Sequence, residues 1–255
     1  MTFTIITTVL NNEDFILDCL KSVQKQNISK NKLEHLIIDG GSSDQTIEII
    51  RNFKKKNKYI KFFSKKNFSI YQGINFGIKI SKNKYIGILH SDDYFKNNNV
   101  LNILQKNFKK NDDIKAIYSN VNIVSRYDKK RILRFFKSRK LNKKDYLKYE
   151  HPPHTSLFLE KNIFKKYGSY KEKFKIASDF DFMLRILGIK QVRSLYLNKI
   201  LIVMRSGGTS TKSLKNIIVS NYEVIKSIKE NNLKINFIYI FIKILRKIFQ
   251  LRLFN

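Results

Sequence analysis

The sequence predicts an α/β fold with a doubly wound, mixed and mostly parallel sheet. Three observations point to it. Short β-prone runs alternate with segments of helical apolar spacing through about the first 110 residues. Each early strand runs into a polar turn rich in Asn, Asp, Gly or Ser. One apolar run, Ile86–Leu89, ends directly in His90-Ser91-Asp92-Asp93, which puts charge at the carboxyl edge of a sheet, where open α/β folds bind ligands.

The elements follow in order. Phe3–Leu10 is short and β-branched, and Asn11-Asn12 ends it with turn formers. Phe15, Ile16, Cys19, Leu20 and Val23 recur at helical spacing. Leu33–Ile38 forms a second strand that ends at Asp39-Gly40-Gly41-Ser42-Ser43-Asp44, where Ser43 or Asp44 caps the helix carrying Ile47, Ile49, Ile50 and Phe53. Tyr59–Phe63 reads as a third strand and Ile70–Ile80 as a helix. After the acidic turn come a helical run from Val100 to Phe108 and a strand-like run, Ala116–Asn120. Residues 126–150 are a basic, aromatic-interleaved connection, read either as a phosphate-binding strip or as a solvated loop. His151-Pro152-Pro153-His154 fixes an extended approach to the next strand. A helix from near Lys161 ends at Gly168, and another opens at Ala177-Ser178-Asp179.

Composition bounds the function. A 42% apolar share with 13% aromatic residues in 255 residues suits a folded chain with a substantial core. The balance of 51 Lys+Arg against 20 Asp+Glu gives a net charge of +31, so polyanions and phosphorylated substrates are candidate partners. The single cysteine, Cys19, excludes an intrachain disulfide and a cysteine zinc cluster. Met1 leads into a strand-like run without a basic leader, so secretion is not expected.

Chemistry-bearing residues gather at strand ends. Asp92 and Asp93 form either a metal–diphosphate site for a hard cation such as Mn²⁺ or Mg²⁺, or a plain solvated turn. Asp39-Gly40-Gly41 allows close backbone approach by a ligand and an acidic acceptor for a ribose or base; it also suits a tight β–α turn. No dinucleotide G-x-G-x-x-G stands there, and no phosphate-loop motif occurs anywhere. His154 is either a substrate or metal contact or a structural histidine. Asp179 is explained by helix capping and is also placed for general-base work.

With these segments in hand, the chain resembles the family 2 glycosyltransferases with the GT-A fold, and among them the bacterial enzymes of surface-polysaccharide assembly. The matching residues are Thr7–Asn11, Ile38–Thr46, Ile70-Tyr71 with Asn75 and Gly77, Leu89–Asp93, Pro153–Thr155, Tyr167-Gly168, Asp179–Asp181 with Arg185, and Met204–Ser210. Their order is the family's, over residues 3–212. The resemblance implies a GT-A nucleotide-diphospho-sugar transferase domain over 1–212, with a nucleotide-sugar half (1–120) and an acceptor half (121–212). It implies that Thr8, Asn11, Asp39 and Gly41 hold the nucleotide, that Asp92 contacts the ribose and that Asp93 binds the divalent metal. Asp179 would deprotonate an acceptor hydroxyl for in-line, inverting attack at the anomeric carbon of a donor, taken as a UDP-sugar. The Arg205–Gly208 turn would close over the diphosphate, or else be a glycine turn with a surface arginine.

One segment departs from the family pattern. Where relatives read Ser-Glu-Pro-Asp-x-Gly-Ile-Tyr-Asp-Ala-Met-Asn-Lys-Gly, this chain reads Ser64 to Gly77 with Lys65, Asn67 and Gln72 for the acidic residues and Phe76 for the lysine. Residues 213–255 form a helical extension, and the tail from 234 to 255 is basic and amphipathic with its apolar residues on a wide face. That suits an interfacial helix on an anionic membrane or a helix packed on the core or a partner subunit. The expected partners are a nucleotide-sugar donor and a glycan or lipid-linked acceptor, at the cytoplasmic face of the cell membrane. No specific nucleic-acid partner is expected, although the charge keeps a basic nucleic-acid-binding protein as the alternative; a weakly active family member serving in assembly is the other.

Overall fold

The structure, a computed structural model, describes residues 1–208, 213–236 and 238–239. Its elements are β1 (Phe3–Val9), α1 (Glu13–Gln24), β2 (Leu33–Asp39), α2 (Thr46–Lys55), β3 (Ile60–Ser64), α3 (Ile70–Ile80), β4 (Tyr85–Ile88), β5 (Tyr94–Phe95), α4 (Val100–Lys110), β6 (Ala116–Val124), β7 (Ile132–Phe136), α5 (Lys143–Leu147), β8 (Phe158–Glu160), α6 (Asn162–Tyr167), α7 (Ser178–Met183), β9 (Ser194–Arg205) and α8 (Leu214–Glu230). A wide π-helical turn, Leu184–Ile189, continues α7.

The strands form one mixed sheet in the order β3-β2-β1-β4-β8-β6-β9-β5, with β7 paired to β6. β3, β2, β1 and β4 are mutually parallel, as the strand–helix alternation predicts. β8 then pairs antiparallel to both β4 and β6, and β9 lies parallel to β6. Side chains alternate across the sheet. Ile5, Leu89 and Ile117 pack with α1 and α4 on one face; Ile6, Ile86, Ile88 and Tyr118 pack with α3 and α7 on the other. At Gly87 a Cβ would stand 2.2 Å from the Phe158 ring, so β4 meets β8 only because that residue lacks a side chain.

Three parts differ from expectation. The 126–150 connection contains β7 and α5, because Val121–Val124 offers it an edge to pair with. β5 is two residues long and exists only through its antiparallel pairing with β9. α8, within the expected C-terminal extension, buries Val224 and Ile228 in the same core as α3 and α7. Most of the helical tail expected over 234–255 (residue 237 and residues 240–255) lies outside the described residues, as do Thr209 and Ser210.

His35 is wholly buried on β2, with Nε2 2.9 Å from Thr7 Oγ1, and burial lowers its pKa to about 3. An unfolded histidine titrates near about 6.5. Neutral His35 therefore contributes stability that is complete above that pH and is lost as pH falls toward its folded value. His35→Gln does not titrate, so its unfolding free energy declines less than the native protein's between about pH 6.5 and 4 in urea melts. Parallel declines in the two proteins would refute this.

Candidate active site

The acidic turn sits where the parallel half of the sheet meets the mixed half. Leu89 N–H still bonds the Ile6 carbonyl (3.0 Å), and Asp93 N–H closes the turn onto the His90 carbonyl (3.0 Å). Asn12 Nδ2 ties Ser91 Oγ from the α1 side (2.7 Å). Asp93 is 2% exposed. Its Oδ1 accepts the Arg205 backbone N–H (3.3 Å), while its buried Oδ2 has no hydrogen-bond partner among the described residues. Burial, with the charge of Asp92 second, pushes its carboxyl well above the ordinary range. Asp92 is more open, and its carboxylate faces the Arg126 guanidinium at 3.6 Å.

Arg205, at the end of β9, is the support beneath this turn. It is 4% exposed. Its guanidinium donates to the Asp92 carbonyl (2.5 Å), the Arg126 carbonyl (3.1 Å) and Asp18 Oδ2 (2.5 Å), and lies over the rings of Phe15 and Tyr94. Neither sequence expectation for Arg205 describes this: it is an internal brace, not a surface arginine, and its guanidinium is already committed to protein oxygens. Gly207, at φ +87°, turns the chain past Arg126.

The neighbouring edge is built from β1 and β2. Asp39 is fully buried and accepts from Gly41 N–H (2.9 Å), Ser42 N–H (3.1 Å), Ser42 Oγ and Ser64 Oγ (2.7 Å). Its carboxylate therefore shapes the loop before α2. Gly41 sits at φ +97°, and a Cβ there would lie 2.9 Å from Lys66 Cα. Asn11 braces the same loop, with Oδ1 accepting Ser43 N–H (2.8 Å) and its own N–H bonding Ser42 Oγ. Thr8 packs its methyl toward Gly73, where a Cβ would come within 2.8 Å. Asp44 Oδ1 accepts Thr46 N–H (3.0 Å) at the start of α2, while Ser43 is held by Asn11.

The altered 64–77 segment is well ordered. Gln72 completes a capping box with Ser69 at the start of α3. Phe76 meets Phe63 and Phe68 edge-on, with ring centroids 5.3 and 6.0 Å apart.

Across the cleft, Asp179 stands partly exposed in the first turn of α7, with Oδ1 accepting the next residue's N–H (2.7 Å). Its neighbours register its charge. Burial lowers His90, and both Asp92 and Asp179 oppose that shift, so the imidazole lies in the field of both carboxylates. Burial lowers His154 to about 4, again against Asp179. His154 Nε2 meets Tyr170 Oη at 2.8 Å, and its ring is 5.7 Å from that of His90. Asp181, wholly buried, is structural: it binds Lys171, Arg185, Ser227 and Asn231. The structure thus links Asp92 and Asp179 through His90, whose imidazole lies in the field of both and next to His154, while Asp39 and Asn11 hold the loop before α2 and Arg205 holds the acidic turn.

Sequence reasoning misses Asp18, His90 and Arg126 as site residues. Asp18 is a lone polar residue inside an amphipathic helix, and nothing local marks it. Arg126 is one cation in a basic stretch. His90 had a signal, since it adjoins the acidic pair.

Among the described residues no group of three or more His, Cys, Asp or Glu side chains could hold a metal by itself. The unpartnered Asp93 Oδ2 beside Asp92 fits instead a hard cation that takes one or two protein oxygens and completes its shell from a phosphorylated ligand.

Residues 4–168 match the family model described as glycosyl transferase family 2. Among relatives, the poly(ribitol-phosphate) β-glucosyltransferase of Bacillus spizizenii is 34% identical over 96 residues, covering 37% of this chain and 15% of that protein. The chain spans between 13% and 26% of the length of the first three relatives it matches. Among solved structures, S. aureus TarS 1–349 in complex with UDP-GlcNAc superposes with a TM-score of 0.70 at 17% identity, over 98% of this chain and 73% of that one. The mannosyltransferase PcManGT of Pyrobaculum calidifontis, in complex with GDP-Man and Mn²⁺, gives 0.66 at 15% identity, over 88% and 64%. These likenesses show the GT-A fold.

Arg205→Leu removes the three guanidinium bonds and leaves two buried carbonyls unpaired, so the variant loses about 3 kcal/mol or more of unfolding free energy. Urea denaturation measures it, and a loss within error of zero would contradict the bracing role.

Proposed function

We propose, since the chain belongs to glycosyl transferase family 2, that it is a metal-dependent, inverting transferase. It moves a sugar from a nucleotide-diphosphate sugar, a UDP-sugar, to a hydroxyl of a glycan or lipid-linked acceptor in cell-surface polysaccharide or lipopolysaccharide synthesis. The observation that carries this reading is the unpartnered Asp93 Oδ2, buried beside Asp92 after β4, with the charges of Asp92 and Asp179 both bearing on the neighbouring His90. The likeness to a glucosyltransferase and the shared fold with nucleotide-sugar complexes support the donor class.

Each residue then has a defined task. Thr8, Asn11, Asp39 and Gly41 form the edge against which the nucleotide rests; Asp39 acts by holding the loop, since its oxygens are occupied. Asp92 contacts the ribose, and Asp93 with Asp92 holds Mn²⁺ or Mg²⁺. When bound, the cation neutralises charge on the departing diphosphate. Arg126, beside Asp92, adds a second positive charge there. Asp179 takes the proton of the acceptor hydroxyl as the oxygen bonds to the anomeric carbon; the bond to the diphosphate oxygen breaks on the opposite face, inverting the centre. His154, held neutral by burial, orients through Tyr170 and lines the acceptor side.

An anionic membrane surface is the expected platform. Lys215, Ile218, Tyr222, Lys226 and Lys229 share the exposed face of α8, and Ile218 and Tyr222 are 70% and 65% exposed. No helix among the described residues is long and apolar enough to cross a membrane. A basic face with apolar residues at its centre suits peripheral contact with anionic headgroups.

Thermal melts against UDP, GDP and their sugars, with and without Mn²⁺, test the donor site. One nucleotide should raise Tm only with metal, and the Asp92→Ala/Asp93→Ala double variant should lose that rise. No shift with any nucleotide in the folded native protein would overturn the reading. With the donor known, Asp179→Asn should lower kcat by about 10² to 10⁴ while nucleotide affinity holds; native turnover would remove Asp179 as the base.

A further inference from the structure

The buried carboxylate of Glu223, on α8, lies outside the cleft yet touches the backbone that leads into Asp179. It accepts three consecutive backbone N–H groups: Lys175 (2.7 Å) on Oε1, and Ile176 (2.9 Å) and Ala177 (2.8 Å) on Oε2. Glu223 is 6% exposed, so its carboxylate meets these donors largely out of water. Successive N–H groups aimed at one anion form a concave nest, a geometry that backbone adopts around ligands and that here is filled by the protein's own side chain. The opposite edge of the same peptide run is held as well, because the Ile176 carbonyl accepts Tyr71 Oη from α3 (2.6 Å).

Asp179 follows two residues after Ala177. On its far side Asp181 is gripped by the same helix, through Ser227 Oγ (2.8 Å) and Asn231 Nδ2 (3.2 Å). One turn of α8 thus holds the chain before Asp179, and the next turns hold it after. Tyr71 references that run to α3, which packs on β1 and β2 of the donor half.

We propose that Glu223 is a positioning residue for the reaction: it sets the height and direction of Asp179 over the cleft. The inference rests on the transfer reading above. A general base must meet its proton within hydrogen-bond reach, and misplacement by about 1 Å costs about 100-fold in rate. Glutamine in this place offers one oxygen to three donors and turns an NH₂ toward the rest. The run from Lys175 to Ala177 then loosens, and Asp179 with it, while the Asp92-Asp93 turn keeps its own support from Arg205 and Asn12.

The test uses full-length protein with two readouts. Amide hydrogen exchange on peptides covering residues 175–179 should speed up in Glu223→Gln, and exchange at residues 90–93 should not. Release of UDP from UDP-GlcNAc and UDP-glucose should show kcat lower by about 10- to 100-fold, with the Kd of UDP and Mn²⁺ within about twofold of native. Glu223→Asp, anionic but one methylene shorter, should fall between the two. Should Glu223→Gln fail to fold, Tyr71→Phe, which removes the second tether, should give the same kcat loss in smaller measure. Unchanged exchange at 175–177, native kcat despite lost protection, or equal losses of kcat and UDP affinity would each overturn the proposal. A native protein that turns over no nucleotide sugar would count against the transfer reading, and the exchange experiment would then decide the Glu223 contact alone.

Discussion

The geometry of the cleft depends on one buried cation. A guanidinium taken out of water costs several kcal/mol unless its donors are satisfied. Arg205 meets that cost with Asp18 from α1, the Asp92 carbonyl from the acidic turn and the Arg126 carbonyl from the chain after β6. Three segments distant in sequence are thereby fixed to the end of β9. The rings of Phe15 and Tyr94 cover its faces, which suits a planar, weakly hydrated cation better than an ammonium. The same residue's backbone N–H holds one oxygen of Asp93, while the other is buried without a hydrogen-bond partner among the described residues.

Charge removed from residues 65–76 has been replaced by packing and local hydrogen bonding. Gln72 retains the capping geometry that an aspartate would give, and Phe76 enters an aromatic group with Phe63 and Phe68. Lys65 N–H bonds the Asp39 carbonyl, and Asn67 N–H bonds the Gly40 carbonyl, so the segment is stitched to the nucleotide-side loop through backbone atoms. Such contacts are indifferent to side-chain identity. The segment can therefore keep its shape while presenting a different charge to whatever rests on that edge.

Much of the donor half is legible in the sequence because its signals are local. A β-branched run ending in Asn, Asp or Gly announces a strand and its turn within ten residues, and Asp39, Asp92 and Asp93 are found that way. The acceptor half is less legible. β5 takes its form only from pairing with β9, and β8 is three residues long. Arg205 and Asp18 are separated by 187 residues, and Glu223 stands 46 residues from the closest of its three partners in the chain. In their helical patterns Asp18 and Glu223 read as solvated, and Arg205 reads as a polar strand end. Asp39 shows the converse error of emphasis: its position is legible, but its burial and its bonds to Ser42 and Ser64 are tertiary facts.

The site is therefore divided between two kinds of segment. Residues matched by the family model end at 168 and contain the loop after β2 and the acidic turn. Asp179, Arg205 and Glu223 all lie beyond that limit, yet each acts on the same cleft. Arg205 reaches back to support the carboxylates of the donor half, and Glu223 supports the backbone before Asp179. β9 and α8, two elements of the C-terminal third, thus support the acidic turn and the backbone before Asp179. Both acidic positions bear on His90, whose pKa burial lowers while the charges of Asp92 and Asp179 oppose that shift.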